Sequence, residues 1–291
     1  MKAYSPQAYL FLIVLGFVWG SSFILIKIGL RNFTPIEVAA MRLLSAGVVL
    51  LPIFIGWYSQ AKKKNFKWFV LSGLLGSGLP AFMFAFAQTK LSSSITGSLN
   101  AMTPLFALLV GLLVFKLEVN WTKWLGVLSG LIGALMLILL KSGAQVSGDL
   151  KYAAVVVCAA MFYGININII KQKFAESRPM VIAAFPTVFM SVPALAILLS
   201  DGFFTKYNFT GAHLQSLIAV CTLGIVGTAL ALVAFNRLIQ MTNAVFSSFT
   251  TYLIPVIALF WGMMDGEQVN LWQIVGLFFI LGGVLLVNKK S

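Results

Sequence analysis

The sequence predicts an all-α membrane protein, ten transmembrane helices set as two inverted five-helix repeats, and three observations carry that prediction. The first is composition: 60% of the 291 residues are hydrophobic, 9% are charged and the mean hydropathy is +0.99. A soluble domain keeps about a quarter of its residues charged, so this chain lacks the polar surface to cover a water-facing core. The second is a series of apolar runs about 20 residues long, the length that crosses a hydrocarbon layer roughly 30 Å thick. The third is internal repetition at nearly constant spacing. The formal charge of +13, from 20 basic and 7 acidic residues, would point to nucleic acid in a soluble chain. Here the basic residues sit mostly in short breaks between the runs, which reads as an orientation signal and not as a nucleic-acid contact.

The predicted helices cover residues 7–30, 36–57, 67–87, 92–115, 123–140, 150–170, 180–199, 214–239, 243–264 and 271–288. They leave short loops and no room for a soluble domain. Strands of a membrane barrel alternate apolar with polar residues, whereas the fourth run is apolar on every side from Leu105 to Phe115, so the fold is a helical bundle. Lys2, followed by a long apolar run without a small-residue cleavage site, reads as a signal anchor that stays as the first helix. Cys158 and Cys221 fall inside predicted helices, as buried thiols and not as a disulfide framework. With the N-terminus placed inside, the inner side collects Lys2, Lys62, Lys63, Lys64, Lys67, Lys116, Lys123, Lys171, Lys173, Arg178, Arg237, Lys289 and Lys290. The outer side collects Lys27, Arg31, Lys90, Lys141, Lys151 and Lys206, a bias of 13 to 6 that puts both termini in the cytoplasm.

Trp19-Gly20, Lys27 and Pro35 recur as Tyr163-Gly164, Lys171 and Pro179, each displaced by 144 residues. Pro104, Glu118, Gly126 and Gly133 recur as Pro255, Glu267, Gly276 and Gly283, displaced by 151, 149, 150 and 150. The chain therefore reads as a duplication, residues 1–143 and 144–291. Five helices is an odd number, so the second copy enters the membrane from the opposite side. Inverted repeats are an architecture of secondary transporters, with the substrate site near the midplane between the halves.

Trp19-Gly20-Ser21-Ser22-Phe23, then Pro35 and Arg42-Leu43-Leu44, resemble the opening of the EamA family of the drug/metabolite transporter superfamily. The Pro104 helix, the Glu118 after it, the glycine-spaced fifth helix and the weaker second copy extend the resemblance over nearly the whole chain. It implies a ten-helix carrier of the cell inner membrane, often an exporter of amino acids or other small metabolites, with a central cavity between the halves. The chain departs from the family pattern at Tyr163, where a tryptophan is usual, and at Pro186 in place of an arginine, and the substrate class stays open.

Candidate cavity residues follow from what is polar at membrane depth. A proline removes the donor for the carbonyl four residues earlier, so Pro104 frees that of Asn100 and Pro255 that of Thr251. Eight residues before each proline stands a small hydroxyl, Thr96 and Ser247, on nearly the same helix face. With Thr103 in the first copy and Ser248 and Tyr252 in the second, these form two matched polar stripes, lining a cavity or bonding helix to helix. Trp19, Ser22, Phe23 and Lys27 span one broad face of the first helix. On the sixth, Tyr163 and Asn166 share a face while Gly164, Asn168 and Lys171 share another. Asn166 and Asn168 are costly in lipid and either line the cavity or tie helices together. Phe82 and Phe86, beside Pro80 and Met83, form a stripe that faces lipid or walls the cavity.

Arg42 is the one charge placed well inside a helix. It either clamps a substrate carboxylate with its planar fork or pairs with Glu37, Asp265 or Glu267. Lys27 and Lys171, near helix ends, suit snorkelling to the headgroups. Glu118 and Glu267 lie at matching short turns and read as helix-end or gate contacts, and Pro80, Pro104 and Pro255 as helix breaks. Gly126 and Gly130, with Gly133, Gly276, Gly282 and Gly283, suit close helix packing.

A membrane-embedded enzyme would need a base, a nucleophile pair or a metal cluster at depth, and the sequence offers a lone His213, no paired acids on one helix face and no metal-ligand spacing. A scaffold protein would not explain matched polar stripes, and a channel would need a ring of charges or a carbonyl filter. The expectation is a secondary transporter working by alternating access on a small-molecule substrate within the lipid bilayer, without cofactor, metal or nucleic acid. It is expected to be a monomer, with a homodimer left open. With all seven acids near helix ends, facilitated diffusion or exchange is expected in place of a buried carboxylate relay.

Overall fold

The computed structural model describes residues 5–61, 66–115, 121–139, 146–242, 247 and 250–288, and every described element is helical. In chain order these are α1 (Pro6–Gly29), α2 (Pro35–Ala61), α3 (Phe66–Gly73), α4 (Leu79–Ala87), α5 (Ser93–Asn100), α6 (Thr103–Phe115), α7 (Trp121–Leu139) and α8 (Val146–Lys173). There follow α9 (Pro179–Ser200), the short α10 (Phe203–Lys206), α11 (Gly211–Gly224), α12 (Ala231–Met241), α13 (Thr250–Met264) and α14 (Leu271–Asn288). Seven segments are long and apolar enough to cross a membrane: Pro6–Gly29, Pro35–Tyr58, Phe66–Ala87, Ser93–Val114, Leu150–Lys173, Pro179–Ser200 and Gly211–Leu238. Trp124–Leu137, Thr250–Met264 and Leu271–Leu286 are shorter apolar helices. The protein is thus an all-α, multi-pass membrane protein, and large apolar side chains such as Leu113, Leu271 and Phe278 stay exposed because lipid is their solvent.

Local chemistry sets the helix starts. Proline occupies the first turn of α1, α2 and α9, where its missing N–H costs nothing. Ahead of α2, Thr34 and Glu37 form a reciprocal cap: the Thr34 amide donates to Glu37 Oε2 at 2.6 Å, and the Glu37 amide to Thr34 Oγ1 at 3.3 Å. Ser92 caps α5 by accepting from the Ile95 amide at 3.3 Å.

Three runs predicted as continuous helices are interrupted. The fourth breaks at the Ala101–Met102 turn, between α5 and α6. Pro104 lies just beyond and withholds a donor from Asn100, and the Thr103 hydroxyl donates to that carbonyl at 2.8 Å instead. The third widens into a π-turn at Leu74–Gly78, where the Leu79 amide reaches back five residues to Leu74 O. Pro80, on the second residue of α4, has no N–H for Gly76 O, which is the physical reason for the wider turn there. The eighth carries a π-turn at Ile225–Leu230, with the Ala231 amide bonded to Val226 O.

Packing joins elements that are distant in sequence, α7 with α14, α2 with α9 and α1 with α13. The α7/α14 seam is glycine on glycine. A Cβ on Gly283 would collide with Gly126 O and come within 2.8 Å of Gly130 N, and one on Gly133 would collide with Gly276 O. Here packing is the driving force that hydrophobicity does not supply within lipid. Gly282, one residue away, faces open space. Gly283→Ala is therefore expected to cost about 1–3 kcal/mol through overpacking. Gly282→Ala should be neutral or stabilising by up to about 1 kcal/mol through the unfolded chain. Thermal unfolding of both variants in detergent checks the contrast.

Candidate functional site

The two π-turns, the α5/α6 break and the middle of α1 and α8 meet around a central cavity of about 310 Å³. Trp19, Ser22 and Phe23 of α1, Arg42 of α2, Asn100 and Thr103 at the break, Tyr163 and Asn166 of α8 and Thr251 of α13 all line it. Several polar groups of the lining also repair helix irregularities. Trp19 Nε1 donates to Gly227 O in the second π-turn at 3.1 Å. Thr228 of the same turn donates to Leu223 O at 3.2 Å and accepts from Arg42 Nε at 3.0 Å. Gly76 in the first π-turn leaves the space that the Asn166 amide fills, since a Cβ there would collide with Asn166 Nδ2.

Other candidates lie elsewhere. Thr96 is fully buried and donates to Ser92 O at 2.8 Å, so its hydroxyl is spent within its own helix. Asn168 Nδ2 donates to Ala107 O and Gly164 O, both at 2.9 Å, tying α8 to α6. Ser247 is buried and shares a 3.3 Å hydrogen bond with Thr242, while Tyr252 packs against the apolar core. Phe82 also packs on that core, and Phe86 faces outward against Tyr152 with ring centroids 5.0 Å apart. The cavity's aromatic wall from this segment is Phe84, which meets Phe23 at 5.8 Å and Tyr163 at 5.9 Å. Pro80, Pro104 and Pro255 lie outside the lining, in or beside the helices they interrupt. Ser248 and Glu118 fall outside the described residues.

Residues not anticipated include Ser72, Ser77, Thr228, Phe235 and Asn236. A signal existed: Gly76-Ser77 and Gly227-Thr228 stand 151 residues apart, the same displacement as Pro104 and Pro255.

Among the described residues Arg42 is the one charged member of the lining, and no carboxylate faces it there. Its guanidinium lies beside the Tyr163 phenol. Asn166 Oδ1 is buried and has no hydrogen-bond partner among the described residues. The acids considered as partners for Arg42 are engaged elsewhere. Glu37 holds Lys206 at 3.0 Å and the Tyr207 hydroxyl at 3.0 Å. Lys27, expected to snorkel, instead bridges Asp265 at 2.7 Å and Glu267 at 2.8 Å, and Arg31 adds a 2.6 Å bond to Asp265.

Glu267 also gathers the start of α5. Its Oε1 accepts from the Ser93 amide at 2.8 Å and hydroxyl at 2.7 Å, its Oε2 from the Ser94 amide at 3.1 Å and from the Ser94 hydroxyl. Burial alone would raise its pKa, but Lys27 and the two serines outweigh it and lower the value to about 2.

The fold and cavity define a multi-pass membrane protein built around a solute-sized chamber. The model of the EamA-like transporter family matches residues 6–139 and again 150–289, and the chain belongs to that family. It is 26% identical over 286 residues to an uncharacterized inner membrane transporter, YedA, of Escherichia coli K12, covering 95% of this chain and 89% of that one. It is 24% identical over 285 residues to an uncharacterized transporter, YdfC, of Bacillus subtilis, covering 94% and 90%. A solved crystal structure 16% identical in sequence shares the fold, with a TM-score of 0.65 and 96% of each chain covered. The protein is a membrane transporter.

Because the Glu267 pKa is depressed, its stabilisation is complete above the ordinary value of 4.5 and is lost as pH falls through about 2. Glu267→Gln is expected to cost on the order of 2 kcal/mol at neutral pH. The gap to the parent protein should be constant from pH 5 to 8 and close at lower pH, as read by thermal unfolding across a pH series.

Proposed function

We propose that the protein is a secondary carrier that exchanges or passively moves a small amphipathic metabolite across the inner membrane by alternating access. Amino acids or related compounds are the substrate class, and export is the direction that the family resemblance suggests. The observation that carries this reading is Arg42 in a chamber whose described lining holds no carboxylate. A fixed cation there takes its counter-charge from the solute, and the guanidinium fork suits a carboxylate. Asn166 Oδ1 offers an acceptor to a solute N–H, and Trp19, Phe23, Phe84 and Tyr163 offer apolar walls. The absence of an acid from the described lining favours facilitated movement over a buried proton relay.

Ten crossings, with both termini in the cytoplasm and inverted halves at residues 1–143 and 144–291, complete the reading. Its support is the basic-residue bias, the double match to one family, and π-turns that stand about 151 residues apart and both border the cavity.

The test is uptake by proteoliposomes of a panel of labelled amino acids and metabolites, with and without a proton gradient. Arg42→Gln should lower uptake of a carboxylate-bearing substrate about 10- to 100-fold, the loss of one charged hydrogen-bonding group. Arg42→Lys should restore part of it, and Asn166→Leu should lower discrimination between an amine-bearing acid and its des-amino analogue. Unchanged kinetics in all three folded variants would overturn the site, and uptake that requires the gradient would overturn the coupling.

A further inference from the structure

The ion pairs of Lys27 and Arg31 with Asp265 and Glu267 gather where α1 finishes, α5 begins and α13 ends, and those of Lys206 with Glu37 and Asp201 lie where α2 begins and α9 and α10 end. The cavity approaches the Lys27 cluster most closely along α1, where Ile26 belongs to the lining, whereas on α5 and α13 the lining stops at Asn100 and Ile254. From there the lining runs to Ile170 near the end of α8, Ile182 near the start of α9 and Asn236 in the middle of α12.

The cluster is built to hold two separate parts of the chain together. One part is the end of α1 and the start of α5, carrying Lys27, Arg31, Ser93 and Ser94. The other is the turn after α13, carrying Asp265 and Glu267. That turn is preset: Gly266 has φ of 80°, a left-handed conformation, and the Glu267 amide bonds to Gly262 O at 2.8 Å. Gly262 itself must lack a side chain, because a Cβ there would collide with Ser94 Oγ and the Glu267 carboxylate. With two cations and two anions, the group is neutral overall. If its parts separate at the membrane surface, each charge returns to water, so opening leaves no ion stranded in a dry interior.

We propose that the Lys27–Asp265–Glu267 cluster, closed over the Ser93–Ser94 helix start, is the lock on the cavity's mouth at this end. The cavity opens there when the α1/α5 side parts from the 265–267 turn. The inference rests on the alternating-access reading, but its test does not depend on transport.

Cys158→Ser and Cys221→Ser remove the native thiols, and Ile26→Cys then reports on the roof of the chamber. A membrane-impermeant maleimide is applied to intact cells and to inverted vesicles, with Thr89→Cys, exposed just after α4, marking the lock's side of the membrane. From that side, Ile26→Cys should label slowly in the otherwise unaltered protein and about tenfold faster with Lys27→Gln, a modest shift in population toward the open state. Lys27→Arg should stay slow because it keeps the charge. Asp265→Asn, which leaves the α5 cap intact, should also label faster and covers the case in which Lys27→Gln does not fold. Parental labelling rates in folded Lys27→Gln and Asp265→Asn overturn the lock, even if transport is found. Faster labelling without transport of any tested solute supports the lock and overturns the carrier reading.

Discussion

Within hydrocarbon no water is available to pair a backbone carbonyl, and that one constraint accounts for both the helices and the chemistry of the chamber between them. A regular helix satisfies itself. Each interruption has to be repaired by a side chain or by a wider hydrogen bond, so interruptions collect polar groups. Thr103 takes the carbonyl of Asn100, Trp19 reaches Gly227, and Thr228 bonds back to Leu223. These repairs lie in or beside the cavity. A chamber wall that must be both polar and stable in lipid is obtained by breaking helices where neighbouring side chains mend them.

The same constraint divides the glycines into two uses. Along α7 and α14 they let backbones approach without side chains between them, making a dry seam. In the π-turns, Gly76 yields its space to the Asn166 amide, and Gly227 presents its carbonyl to Trp19. One residue type thus builds the tightest contact of the bundle and makes room for polar groups at its cavity.

Much of this was legible in sequence because periodicity and composition report on solvent. The helical class, the apolar spans and the polar positions Trp19, Ser22, Asn100, Tyr163 and Thr251 all follow from polar residues being rare at depth. What escaped was direction. Phe82, Phe84 and Phe86 share a segment beyond the π-turn before Pro80, and of the three only Phe84 lines the cavity, while Phe82 packs on the core and Phe86 faces outward. Thr96 and Ser247 fit a straight-helix stripe, yet Thr96 is fully buried on the same helix as Asn100, bonds to Ser92 O and stays out of the lining. Asn166 and Asn168 are indistinguishable by composition, and a two-residue step around the helix sends one to the cavity and the other to the backbone of α6.

Arg42 and Lys27 show how the surroundings divide two basic residues. Lys27 lies in the last turn of α1, whereas Arg42 lies about two turns into α2. Lys27 meets two carboxylates and becomes part of a neutral cluster. Arg42 meets a hydroxyl and a phenol, neither of which cancels its charge. A guanidinium at membrane depth is tolerable only where a counter-charge, water or a solute reaches it, because desolvation without a partner is costly. Among the described residues the lining meets that demand with no carboxylate of its own, so the cavity is the place where the charge has to be satisfied.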